Sequence, residues 1–357
     1  MKITAVKTWK EAVPLTRPYA IASRTISDVE MFFVRIGSEN GKFGLGSASP
    51  AEEVTGEAVD DCARALTTDR LDWLQGQDIR ELARICRRLK EQSPRTPAAR
   101  VAVEMALHDL FARVLDRPLV EILGRCHEAL PTSITIGIKP TPEEALAEAD
   151  EYVQRGFRCL KVKIGHSLEK ETALLRLLRE RVGGRVQIRV DANLGYSYEE
   201  TQELGSVLEE LDLELVEQPV PVENFDQLRN LPEPYRRLVA ADESLLREDH
   251  ALELIQPPAA CGIFNIKLMK CGGLTTALGI ARLAEIGGID LMWGCMDESV
   301  ISISAALHTA YACPNTRYLD LDGSFDLARD PAQGGFVLDE GFLRLESGAG
   351  LGVELRG

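Results

Sequence analysis

No apolar run in this sequence approaches the roughly 20 residues that cross a bilayer, and no basic segment with an apolar core opens the chain. A cytoplasmic protein without a membrane partner is therefore expected. Positive charge is scarce too. Against 56 Asp and Glu stand 41 Lys and Arg, a formal net charge of −15 that argues against a nucleic-acid-binding surface. None of the 8 cysteines forms a CxxC pair. They read as reduced core thiols, although spacing alone does not forbid a disulfide. His108, His127, His166, His250 and His308 lack metal or triad spacing and read as helix, loop or surface residues. Gly44-Leu-Gly46 and Gly272-Gly273 lack the rest of a phosphate-cradling motif and read as strand and turn glycines. There is no Pro/Ser-rich linker and no internal repeat beyond a βα period.

What the chain does have is a series of charged side chains at regular distances. Lys163, Asp191, Glu217, Asp242 and Lys267 follow one another at intervals of 28, 26, 25 and 25 residues, with Asp320 and Asp322 further on. That interval is about one strand, one helix and two short loops of a (β/α)₈ barrel, whose functional groups sit at the carboxyl ends of its strands. Each of the five ends a short Val/Ile/Leu-rich run, and helical stretches at 142–155, 168–181, 198–211 and 275–285 lie between them. Eight strands are predicted at 132–138, 159–164, 186–191, 213–217, 237–242, 263–267, 290–294 and 317–322. Their unbroken apolar character suits a parallel sheet covered by helices.

A chain of 357 residues exceeds the roughly 250 of a plain barrel. The fold class expected is α/β: a TIM-like (β/α)7–8 barrel at 126–325, an α+β capping domain at 1–125, and a segment at 326–357 returning to that domain. In the capping domain, strands are predicted near 3–9, 29–36 and 41–48 and helices near 79–90 and 97–115; in the last segment, strands at 334–338 and 341–345.

Asp191, Glu217 and Asp242 end three consecutive strands, so their carboxylates converge, and an all-oxygen set suits a hard cation such as Mg²⁺. Any one of them alone could simply cap the following helix. Lys163 and Lys267 end strands 2 and 6, opposite each other across the mouth, and Lys161 shares the inward face of Lys163. Burial beside a cation is expected to depress the proton affinity of these amines and make a usable base. Lys270 reads as a solvated surface charge. In Asp320-Leu-Asp322 both acids share one face, suited to a cationic group, although Asp322-Gly323 is also a turn signal. A substrate with a carboxylate on the metal, a carbon acid between two lysines and an ammonium on the two aspartates fits. One lysine would remove the α-proton to give an enediolate and the other return it on the opposite side, inverting the centre. The span from carboxylate to ammonium suits a dipeptide.

Lys161-Val-Lys163, Asp191-Ala-Asn193, Glu217-Gln-Pro219, Ala241-Asp242-Glu243-Ser244, Asn265-Ile-Lys267-Leu-Met-Lys270 and Asp320-Leu-Asp322-Gly323 resemble the motifs of the enolase superfamily, muconate-lactonizing subgroup, and its dipeptide epimerases. The similarity runs the whole length, including Pro14-Leu-Thr-Arg-Pro18 and Arg24. It implies Mg²⁺ on Asp191, Glu217 and Asp242, with Asn193 supporting the site, acid/base roles for Lys163 and Lys267, and enolate support from Lys161. It also implies substrate contacts from Asp320, Asp322, Asp297, Thr135 and Arg24, and a homo-oligomer.

Side-chain specificity is read from the mouth. Arg24 could pair a Glu side chain, as an L-Ala-D/L-Glu epimerase would need. Asp297, Asp326 and the Glu52-Glu53 pair add negative charge, which favours Arg- or Lys-containing dipeptides. An o-succinylbenzoate synthase or lactonizing enzyme would share the lysines and carboxylates, but its anionic substrate would be repelled by Asp320 and Asp322. A Schiff-base aldolase and a non-catalytic binding protein are the readings from other classes.

Overall fold

The structure, a computed structural model, describes residues 1–20 and 25–356. Eight strands form one sheet in unbroken chain order, paired in parallel. They are Ser133–Ile136, Cys159–Lys163, Gln187–Asp191, Val216–Glu217, Val239–Ala241, Ile263–Lys267, Asp290–Gly294 and Thr316–Asp320, here strands 1 to 8. Thr132 bridges Leu319 in parallel and its hydroxyl accepts the Leu321 N–H at 2.9 Å, which closes the ring.

Each of strands 1 to 7 is followed by helix. Pro142–Gln154 begins with proline in its first turn and with the Thr141 hydroxyl accepting from Glu144 N–H. Tyr198–Glu210 begins with a reciprocal capping box between Ser197 and Glu200. Strand 4 is the exception in kind, since a 3₁₀ helix at Val222–Asn230 and one turn at Glu233–Arg236 replace the regular helix. After strand 8 the chain makes no helix, so the barrel is (β/α)₇β. It runs instead through short strands Ala332–Gly334, Phe336–Asp339, Phe342–Leu345 and Val353–Leu355.

The capping sheet is antiparallel, Ile3–Ala20, Thr25–Ser38 and Phe43–Ala48 in that order. Its first strand runs eleven residues past the expected end at 9, through Pro14 and Pro18. Proline is tolerated there because this strand lies at the sheet edge, where a missing N–H removes no interior ladder bond. Against the sheet lies helix Pro97–Val114, buried on nearly every face because the barrel covers its other side. A Cβ on Gly44 or Gly46 would stand 2.1 or 1.8 Å from the helix carbonyls of Ala106 and Ala102, so these are packing glycines.

One buried carboxylate joins distant parts of the chain. Asp109 on that helix accepts Leu45 N–H at 2.8 Å from the sheet and Leu351 N–H at 2.7 Å from the carboxyl-terminal segment. The same segment pairs Phe342–Leu345 with Leu130–Pro131, below strand 1. At the opposite end of the barrel, the Arg17 guanidinium lies 3.2 Å from Glu148 and 2.6 Å from Glu151, fastening the capping strand to the helix after strand 1.

Candidate active site

The register of the barrel sets the site. Lys163 is level with Asp191 and Asp191 with Glu217, while Lys267, Gly294 and Asp320 form a matching row on strands 6 to 8. Asp242 lies one residue past strand 5. All three acids are buried, Asp191 and Glu217 fully.

Lysines surround them. Lys161 Nζ lies 3.0 Å from Asp191, 2.7 Å from Glu217 and 2.8 Å from Asp320. Lys163 Nζ donates to Asp191 Oδ2 at 2.7 Å and to Asn193 Oδ1 at 2.9 Å. Lys267 Nζ donates to Asp242 Oδ2 at 2.6 Å and lies 3.9 Å from Glu217. The two facing lysines thus each hold one outer member of the carboxylate triad.

The proton affinities follow the charged partners of each group. Burial lowers the affinity of Lys161 and Lys267. The opposing charges of Asp191, Asp320 and Glu217 around the first, and of Asp242 and Glu217 beside the second, outweigh it and raise both above the ordinary lysine value. With the carboxylates as partners these lysines favour the charged form; the expected depression concerns the site with a cation on those carboxylates. Asp191, despite burial, is held low by Lys161 and Lys163. Glu217 is pushed up to about 8 by burial and by the charge of Asp191.

Lys270 is also corrected. It is 4% exposed, and its ammonium binds the carboxylate and the carbonyl of Asp242. The sequence signal was its position three residues after Lys267, which returns a side chain to the same side of a helical turn. Other residues of the site had no sequence argument of their own. Asn265 Nδ2 donates to Glu217 Oε1 at 2.8 Å, and Gln218 Oε1 accepts the N–H groups of Asp242 and Ser244. Arg189, two residues before Asp191 and 1% exposed, donates to Leu319 O at 2.7 Å and to Glu214 at 2.6 Å, crossing the barrel beneath the acids.

Asp320 and Asp322 are both buried but not equivalent. Asp320 spends one oxygen on Ser133 Oγ at 2.6 Å and the other on Lys161. Asp322 accepts the Thr135 N–H at 2.8 Å and otherwise has the Cys295 thiol 3.7 Å away. Burial and then the charge of Asp320 push Asp322 up to about 6. Asp297, half-buried after strand 7, offers its carbonyl to Ser49 Oγ of the capping domain at 2.7 Å. Asp326 is raised by burial and then by the charge of Asp297. Glu52 and Glu53 begin a short helix and are exposed. Arg24 lies outside the described residues.

The donor set fits a hard divalent cation. It consists of buried carboxylate oxygens: Glu243 Oε2 has no hydrogen-bond partner, and Glu217 Oε2 makes no hydrogen bond of good geometry although the Lys161 ammonium lies 2.7 Å from it. Cys86, Glu104 and His108 bring a thiol, a carboxylate and a ring nitrogen within 4.8 Å in the capping domain. There, Glu104 already accepts the Thr275 N–H, and burial followed by the charge of Glu104 holds the Cys86 thiol protonated.

Relatives match the chain over nearly its whole length. The chain is 57% identical to the L-Lys-D/L-Arg epimerase of Methylococcus capsulatus over 99% of each chain, and 33% identical to the L-Ala-D/L-Glu epimerase of Bacillus subtilis over 99% of this chain and 97% of that one. The crystal structure of the Methylococcus capsulatus dipeptide epimerase complexed with Mg and the dipeptide L-Arg-D-Lys superposes with a TM-score of 0.97 at 57% identity, covering 99% of both chains. Residues 3–124 match the mandelate racemase / muconate lactonizing enzyme N-terminal domain and residues 144–357 the enolase C-terminal domain-like barrel. The chain belongs to the mandelate racemase / muconate lactonizing enzyme family.

Proposed function

We propose that the protein is a Mg²⁺-dependent dipeptide epimerase, inverting the α-carbon of the carboxyl-terminal residue, with preference for dipeptides carrying Arg or Lys. The observation that carries this reading is the pair of lysines on opposite strands, Lys163 at Asp191 and Lys267 at Asp242, with Glu217 between their partners. Alongside it stand the 57% identity to an L-Lys-D/L-Arg epimerase and the relative's Mg and L-Arg-D-Lys complex.

Asp191, Glu217 and Asp242 would hold the ion, with Asn193 steadying Asp191 through its backbone N–H at 3.0 Å. Bound there, Mg²⁺ supplies Lewis-acid stabilisation to the substrate carboxylate as charge develops on it. Lys161 adds a fixed ammonium on the same side. Lys163 and Lys267 take and return the α-proton on opposite faces, each able to give up its own proton once its carboxylate partner is engaged elsewhere. Asp322, assisted by Asp320 and by the strand 1 edge at Thr135, receives the substrate ammonium. Asp297 and Asp326 set a negative field at the mouth for a cationic side chain.

The test is α-proton exchange in D₂O on each epimer of one cationic dipeptide. Lys163→Ala and Lys267→Ala should each exchange one epimer only, and opposite ones; exchange of both epimers by either variant defeats the assignment. A cytoplasmic location is proposed with the same reading, supported by eight cysteines that are all free. Among the described residues no helix is long and apolar enough to cross a membrane. A homo-oligomer is proposed on the exposed Leu252 and Ile286, which lie on the packed helices after strands 5 and 6.

A further inference from the structure

Strand 6 ends at Lys267, and the chain passes directly into one helical turn, Leu268–Cys271, that stops at Gly272 in the left-handed conformation. The orientation of Lys267 is therefore tied to this turn, as is Lys270, whose ammonium holds Asp242. The turn itself is held from outside the barrel. Arg100 of capping helix Pro97–Val114 donates from Nε to Gly272 O at 2.7 Å and from Nη2 to Cys271 O at 3.0 Å, while Nη1 is anchored on Ser93 O at 2.8 Å. One turn along the same helix, Glu104 Oε1 accepts Thr275 N–H at 2.6 Å, at the start of Leu274–Gly287, where helix N–H groups have no partner of their own. Arg100 is 7% and Glu104 2% exposed. A Cβ on Gly272 would stand 2.1 Å from Arg100 Nη2 and one on Gly273 2.2 Å from Glu104 Oε2, so the glycine pair makes room for the clamp.

Among the described residues nothing comparable holds the turn behind the other lysine. After Lys163, the Ile164 N–H goes to Asp191 O, and the His166 and Ser167 N–H groups go to Glu171, all within the barrel. Among the described residues, then, the capping domain bonds the turn behind strand 6 and leaves the one behind strand 2 to the barrel alone.

We infer that Arg100 and Glu104 are positioning residues for Lys267, making the capping domain part of the support for the base on one face of the substrate and not for its counterpart on the other. This rests on the two-lysine reading above. A general loss of fold would slow both faces alike, whereas loosening this turn should slow one.

The experiment measures α-proton exchange into D₂O separately for the two epimers of a cationic dipeptide at saturating Mg²⁺, in the wild type, Arg100→Met, Glu104→Ala and Glu104→Gln. The epimer read by Lys267 is the one whose exchange Lys267→Ala abolishes. Arg100→Met and Glu104→Ala should shift the ratio of the two rates against that epimer by about tenfold or more, since small misplacement of a reacting group is costly. Glu104→Gln, which keeps an acceptor for Thr275 N–H, should stay within about twofold of the wild type. In the metal-free protein, amide exchange should rise at 268–275 in Arg100→Met and stay unchanged at 164–171. Equal slowing of both epimers, or faster amide exchange at 268–275 with an unchanged rate ratio, overturns the inference. If Arg100→Met does not fold, the Glu104 pair carries the same test. A wild type that exchanges neither epimer strikes down the epimerase reading itself; one that exchanges both, with variants of unchanged ratio, strikes down only the clamp.

Discussion

Asp320 Oδ2 accepts from Lys161 Nζ at 2.8 Å, an ion pair that crosses the barrel from strand 8 to strand 2. The same ammonium contacts Asp191 and Glu217, so Asp320 is bound into the carboxylate centre while Asp322 is bonded to strand 1.

The two aspartates should therefore separate kinetically. Asp322→Asn should raise KM for a dipeptide by roughly tenfold or more with kcat little changed, as loss of one charged contact would. Asp320→Asn should lower kcat as well, because it removes one of the three carboxylates that position Lys161. Steady-state kinetics on both variants decide this; identical effects would mean that the pairing with Lys161 has no catalytic consequence.

Specificity should follow charge at the mouth. Asp326 is half-buried and feels the charge of Asp297, and replacing it by Asn removes negative charge near the capping strand, where its carbonyl accepts Thr16 N–H at 2.7 Å. Asp326→Asn should reduce kcat/KM for Arg- and Lys-containing dipeptides several-fold more than for uncharged ones. Equal losses for both substrate classes would remove Asp326 from the specificity account.

Stability should fall in mild acid through His308. Its Nδ1 accepts the Val120 N–H at 3.0 Å, and burial depresses its pKa from 6.5 to about 4. Between those values the unfolded chain binds a proton that the folded one refuses. The contribution is therefore fully present above the unfolded value and is lost as pH falls toward 4, by about 3 kcal/mol in total. Chemical denaturation of wild type and His308→Gln at several pH values measures it. The wild type should lose more stability than the variant between pH 6.5 and 4, and parallel curves would refute the assignment.

Much of this arrangement was legible in the sequence because a barrel repeats. A strand and a helix of constant size carry Lys163, Asp191, Glu217, Asp242 and Lys267 to matched positions, so spacing alone locates them. Contacts between parts of the chain far apart carry no such period. Arg100 meets Gly272 across 172 positions and Arg189 meets Leu319 across 130, and neither pair leaves a local mark. Lys270 was misread for a related reason. A lysine beyond a strand end usually faces water, and only the turn at Leu268–Cys271 sends this one back to Asp242. The first strand continues past the expected end at 9 and through its prolines, since edge position is a property of the sheet and not of the segment.

The central claim is tested most directly by incubating the purified protein in D₂O with a mixture of L,L-dipeptides, with Mg²⁺ and with EDTA, and following deuterium at the α-carbon by mass spectrometry. Label should enter only with Mg²⁺, and first into members carrying Arg or Lys. Label favouring Ala-Glu would overturn the specificity, and no label in any member would contradict the epimerase account.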